Sequence, residues 1–207
     1  MRAEVEMFRI IAAVWFLALA LGVGALPRPG PSLRTGDVVL QTSRSAMSGT
    51  IQIATQSPWS HVGIVEVGPR GPFVIEAVGP VKRTAWRKWR ARGEGGRVLV
   101  LRPRDLSPED LARVVSEARR ETGKPYDPAF GWGDDAFYCS ELVYKAFLRG
   151  TGAGVGRLER LGDLRIAGLE AAIAARSGGG VPRDLRDLRF VTPASIAADP
   201  RLERIGP

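Results

Sequence analysis

Cys139, in "FYCSELVYKAF", and His61, in "SPWSHVGIV", are the only thiol and the only imidazole in the chain. Such a pair can do nucleophilic chemistry, with the imidazole taking the thiol proton and later giving it to a leaving group. Cys139 stands where a loop rich in Pro, Gly and Asp turns into an amphipathic helix. Unpartnered N–H groups and the helix dipole at such a start favour thiolate over thiol. By position alone, Cys139 also fits a small buried hydrophobe, and His61 a hydrogen-bonded histidine at a strand end. Gly63 shares a strand face with His61, and its missing side chain predicts close packing of the Cys139 helix against the imidazole.

A third group usually orients the histidine. Glu76, in "FVIEAV", is a carboxylate inside an apolar strand, which is costly unless it meets a cation or several donors. In a hairpin it shares a face with His61 only if paired positions sum to an odd number, as when Glu76 lies opposite His61 or Gly63. Glu66, Asp134, Asp135 and Glu141 fit solvated or helix-capping positions instead. A zinc site needs three or four ligands, and here nitrogen and sulfur together supply two, so neither metal nor other cofactor is expected.

The elements that must position these groups follow from pattern. "GDVVLQ" predicts a turn and a short strand, and Ser43 to Thr55 a loosely amphipathic helix. "HVGIVEVG" and "FVIEAVGPV", joined through "PRGP", predict an antiparallel hairpin, and "RVLVLRP" a third strand. The stretch "TAWRKWRARGEGG" between them is basic and ends in a glycine turn. It is either a connector with Trp86 and Trp89 tucked into the core, or a surface resting on anionic headgroups. "SPEDLARVVSEARRETG" predicts a helix capped by Ser107 and closed by Gly123, and "CSELVYKAFLRG" one stopped by Gly150. A helix is expected across "LRIAGLEAAIAARS". The order gives an α+β domain with a small antiparallel sheet packed against helices.

The 207 residues suffice for one core, with 44% hydrophobic and 25% charged residues. Thirty Lys+Arg against 22 Asp+Glu leave a formal charge of +8, nearly all of it arginine. Coding bias is one source of such an excess, and attraction to anionic lipid or cell-wall polymer is another. The chain lacks a nucleic-acid-binding motif, so that partner is not expected. Residues 1–25 include an uncharged apolar run beginning at Ile10, expected to act as a signal peptide or membrane anchor, with 26–35 as linker. The body, 36–207, is then expected outside the cytoplasm, periplasmic or secreted, as a monomer.

"GDVVLQTSRSAMS", "IQIATQSPWSHVGIV", "VIEAVGPVK", "GKPYD" and "DDAFYCSELVYKAF", in this order, resemble the permuted papain-like amidases of the YiiX/YaeF type, within the NlpC and lecithin:retinol acyltransferase superfamily. The resemblance implies a circularly permuted papain-like fold with histidine before cysteine. It implies Cys139 as nucleophile, His61 as base and acid, Glu76 as the orienting residue, and Tyr126 near the substrate. Residues 151–189 match least and are expected to form a variable helical insertion. The activity implied is cysteine-dependent hydrolysis of an amide in a peptide or cell-wall stem peptide. Two alternatives stand beside it: a lipid-directed acyltransferase or phospholipase, and a non-catalytic envelope-binding module. Peptide, peptidoglycan and lipid are therefore the substrates in view, with an anionic membrane surface as a further partner.

Overall fold

The central strands bury residues on both faces because helices cover both sides of the sheet they form. The computed structural model describes residues 32–165 and 187–206. Strands β1 (Val38–Ser43), β2 (His61–Gly68), β3 (Gly71–Ala77), β4 (Val81–Ala85), β5 (Gly93–Pro103) and β8 (Leu202–Arg204) form a six-stranded antiparallel sheet in the order β4-β3-β2-β1-β5-β8. A small ribbon pairs β6 (Leu158–Arg160) with β7 (Arg189–Val191). The helices among the described residues are α1 (Ser48–Thr55), α2 (Trp86–Ala91), α3 (Pro108–Arg120), α4 (Cys139–Thr151) and α5 (Pro193–Ala197).

Alternation along the strands divides the core. Val38, Leu40, Val62, Ile64, Ile75, Leu99 and Leu101 face α3 and α4, joining Val114, Leu142, Val143 and Phe147 in the main cluster. Val39, Val65, Val74 and Val100 face the other way and pack around Trp89 of α2. Three layers result: two helices, the sheet, and one short helix.

Local signals explain several boundaries. Ser107 caps α3 reciprocally: its Oγ accepts from the Asp110 N–H at 3.1 Å, and Asp110 Oδ2 accepts from the Ser107 N–H at 3.0 Å. The helix ends at Arg120, three residues before Gly123. Gly150, expected as the stop of α4, lies inside it, and the helix ends on Gly152 at φ 84°. A Cβ on Gly150 would stand 2.8 Å from the backbone nitrogen of Val114, so this glycine lets α3 and α4 touch.

The "TAWRKWRARGEGG" stretch holds more structure than a connector. It begins in β4, forms α2, and its glycines belong to β5. Trp89 is fully buried and stacks on Trp86 with ring centroids 5.5 Å apart. The core reading of the tryptophans therefore holds for Trp89, with Trp86 half-buried against it. No helix among the described residues is long and apolar enough to cross a membrane. The leader at 1–25 and most of the helix expected after Leu164 lie outside the described residues.

Candidate active site

The site forms at the open end of the β2–β3 hairpin. Ladder pairs such as Ile64↔Ile75 sum to an odd number, so Glu76 and His61 share a face, with Gly63 opposite Glu76 in that register. His61 Nε2 sits 2.6 Å from Glu76 Oε2. The other carboxylate oxygen accepts from Thr84 Oγ1 and Arg92 Nη2, each at 2.5 Å. Glu76 is wholly buried, and these donors make an ionised carboxylate tolerable there. Burial would raise its pKa, but the His61, Arg92 and Thr84 contacts hold it down at about 2.

The segment before His61 is fixed by hydroxyls. Thr42 Oγ1 donates to the Pro58 carbonyl at 2.6 Å, and Ser60 Oγ accepts from the Ser43 N–H at 2.8 Å and contacts Ser48 Oγ at 2.6 Å. These bonds tie "SPWS" to β1 and α1 and set where β2 begins. Gln41 is the β1 partner of His61, and Trp89 flanks the imidazole with ring centroids 6.3 Å apart.

Cys139 opens α4, as the loop-to-helix transition predicts. With His61 Nε2 bonded to Glu76, Nδ1 is the ring nitrogen left to face the sulfur, and thiol and imidazole stand close enough for each to shift the other's pKa. Burial favours the neutral thiol, but the His61 hydrogen bond and charge, with the Val62 N–H, hold the Cys139 pKa below its ordinary value. Burial likewise opposes the imidazolium, and the bonds and charges of Cys139 and Glu76 overcome it, raising His61 to about 9. The arrangement brings thiol, imidazole and carboxylate together, and the shifts favour the thiolate–imidazolium form. Cys139 is only 5% exposed, yet it forms part of the wall of two pockets.

Tyr126 borders both of the pockets that Cys139 lines. Its loop is joined to the segment just before α4 by an isolated bridge between Tyr126 and Phe137. Gly63, in contrast, does not make room for the Cys139 helix. A Cβ there would run into Val74 and stand 2.8 Å from the Ile75 carbonyl, so the glycine admits β3. The reason is the face: Gly63 points away from the layer that contains α4.

Three of the four carboxylates set aside in the sequence, Glu66, Asp134 and Glu141, have structural partners. Glu66 bonds Arg83 at 2.5 Å and Arg119 at 2.6 Å, and Asp134 bonds Arg149 at 2.5 Å and Lys145 at 3.1 Å. Glu141 is a cap, receiving the Tyr138 N–H at 3.4 Å, but it is fully buried and paired with Lys145 at 2.7 Å. Sequence reasoning missed Arg92 and Thr84. Nothing distinguishes Arg92 among the basic residues of its stretch, whereas a threonine two residues past Glu76's β4 partner is a signal available once β4 is recognised.

With this geometry in place, the comparisons with known proteins are specific. A model of the permuted papain-like amidases, the YaeF/YiiX or C92 family, matches residues 32–206. The chain belongs to that family. It is 38% identical over 175 residues to the uncharacterized protein YiiX of Escherichia coli (strain K12), covering 83% of this chain and 85% of YiiX. Its fold matches the crystal structure of the metalloprotein YiiX from Escherichia coli O157:H7 with a TM-score of 0.77 and 37% identity, over 84% of this chain and 96% of that one. The permuted papain-like α+β fold follows, as does a cysteine-type hydrolase family. A metal fits this chain poorly: among the described residues no three His, Cys, Asp or Glu side chains gather as a metal site, and His61 and Glu76 are bonded to each other.

Proposed function

We propose that the protein is a cysteine-dependent hydrolase that cleaves an amide through a thioester on Cys139. One observation supports this above all: Cys139, His61 and Glu76 are buried together, with His61 bonded to Glu76 at 2.6 Å and with interactions between His61 and Cys139 that favour thiolate and imidazolium. In the acylation step the thiolate sulfur forms a bond to the carbonyl carbon, and the carbonyl electrons move onto oxygen. The backbone N–H of Cys139, at a helix start, is placed to donate to that oxyanion. Collapse breaks the C–N bond as His61 gives its proton to the departing nitrogen. Water then loses a proton to His61 and attacks the thioester, releasing the acid and the thiol. Glu76 orients the ring and favours its charged form, and Arg92 and Thr84 keep that carboxylate ionised.

A peptide or cell-wall stem peptide amide is the substrate the family's amidase character suggests. A lipid amide or ester is the second reading, favoured by an apolar pocket against Cys139 lined by Leu161, Leu188 and Phe190. A non-catalytic binding module would have no use for a buried ionised row. The apolar leader supports action outside the cytoplasm, against an anionic membrane or wall. Intact mass after mixing with p-nitrophenyl acetate tests the chemistry: an acetyl adduct on the wild type, absent in Cys139→Ala and in His61→Ala, is expected. A wild type that neither retains an acetyl group nor releases p-nitrophenolate faster than Cys139→Ala would overturn the proposal.

A further inference from the structure

Of the two pockets whose walls include Cys139, His61 borders only one. A leaving nitrogen must come within hydrogen-bond reach of the group that protonates it, so the pocket beside His61 receives the leaving half of the substrate. Most polar side chains in its wall are already engaged by the protein. Ser60 Oγ accepts from the Ser43 N–H and contacts Ser48 Oγ, Ser43 Oγ bonds Ser45 Oγ at 2.9 Å, and Arg92 holds Glu76. Arg44 is exposed. Gln41 differs from all of these: it is only 1% exposed, and its carboxamide has no hydrogen-bond partner among the described residues.

Gln41 is the β1 partner of His61, so both side chains leave the same face of the sheet, and β1 flanks β2 on the side opposite the strand that carries Glu76. Side chains paired in this way start roughly 4.5–5.5 Å apart, which brings the carboxamide within about one residue's length of a nitrogen bonded to His61. The chain leaves room for it. A Cβ on Gly93 would stand 2.4 Å from Gln41 Oε1, so this glycine lets the amide oxygen lie against the start of β5. Oε1 is sealed off there, and the amide nitrogen is left toward the pocket. A buried amide donor without a protein acceptor is costly, and in a substrate pocket the ligand can supply the missing acceptor.

We infer that Gln41 reads the leaving half of the substrate. Its Nε2 donates to a carbonyl oxygen one residue beyond the scissile nitrogen, so the preferred leaving group is the amino end of a peptide, not a simple alkylamine. This rests on the hydrolase reading above and narrows what its leaving half must carry.

Running the cleavage step backwards tests it, because an added amine attacks the acyl-enzyme from the pocket that the leaving amine vacates. The full chain is mixed with p-nitrophenyl acetate and equal amounts of glycinamide and propylamine. In the transfer the amine nitrogen bonds the acetyl carbon, the C–S bond breaks to restore the thiolate, and the amine proton passes to His61. N-acetylglycinamide and N-acetylpropylamine are quantified after subtraction of the Cys139→Ala background. Gln41→Met keeps the length of the side chain and removes both hydrogen-bonding atoms. The glycinamide-to-propylamine product ratio should then fall by about threefold or more from its wild-type value, the loss of one neutral hydrogen bond. The intrinsic reactivities of the two amines cancel in that comparison, and a merely structural role would lower both products in proportion. Gly93→Ala retains Gln41 but displaces its amide, so it should lower the ratio too, and it decides the question if Gln41→Met does not fold.

A ratio that falls by less than about threefold overturns the inference. So does a wild type that turns over p-nitrophenyl acetate yet transfers acetyl to neither amine above background. In both cases the hydrolase reading stands. If the wild type neither retains acetyl nor releases p-nitrophenolate faster than Cys139→Ala, both fall.

Discussion

Glu76 Oε2 stands 2.6 Å from His61 Nε2 while Glu76 Oε1 is held by Arg92 and Thr84, so the carboxylate is clamped from behind as well as aimed at the ring. Glu76→Gln keeps the shape and removes the charge. Burial then acts on the imidazole with less opposition, and the His61 pKa drops from about 9. The alkaline limb of the kcat/KM profile should move to lower pH, and the rate should fall by roughly 10²-fold.

Arg92 acts through Glu76 and is a positioning residue. Its side chain is partly exposed, so Arg92→Met should cost only about three- to tenfold in kcat/KM, with Arg92→Lys recovering part of it. The pH profile distinguishes positioning from a general structural role. Glu76, held at about 2 against an ordinary 4.5, contributes stability that is complete above 4.5 and is lost as pH falls through about 2. Without Arg92 the carboxylate protonates earlier, and acid unfolding should begin at higher pH than in the wild type.

Gly63 is a test of the close approach of β2 to β3. Gly63→Ala would press a methyl against Val74 and the Ile75 carbonyl, and the backbone there cannot swing away as a side chain can. A loss of about 2 kcal/mol or more in urea unfolding is expected. Gly49→Ala in α1 meets open space and should be neutral or stabilising by up to about 1 kcal/mol.

The Glu141–Lys145 pair lies within α4, close behind the nucleophile. Lys145 Nζ also bonds the Gly133 carbonyl at 2.6 Å and so ties the loop before Cys139 to the helix. Burial lifts Glu141 to about 7 despite Lys145, so its folded pKa exceeds the unfolded value, and ionising it weakens the fold as pH rises from 4.5 through about 7. Lys145→Met should therefore cost less near about pH 5 than near about pH 8, where about 3 kcal/mol or more is expected. Chemical denaturation at the two pH values checks it.

Much of the site was legible because each member has a local signature. A thiol at a loop-to-helix transition, an imidazole at a strand start and a carboxylate inside an apolar strand each stand out in a linear reading, and the hairpin reduced the His61–Glu76 question to parity. Arg92 and the two-pocket division were not legible, since both depend on how α1, α2 and the β6–β7 ribbon converge. The Gly63 inference went astray at the same level. Strand alternation gave its face correctly, but which layer lies over that face is a property of the whole sheet. β4 and α2 were hidden by the charged residues of "VKRTAWRKWRA", which mask a short edge strand and a helix buried by a single Trp89.

The central claim is that His61 ionises Cys139, and titration of the thiolate by its ultraviolet absorbance tests it most directly. The wild type should hold a thiolate well below the ordinary thiol value of about 8.5, and in His61→Ala the transition should move above that value, because burial then acts alone. Identical titrations near or above about 8.5 in both proteins would contradict the account.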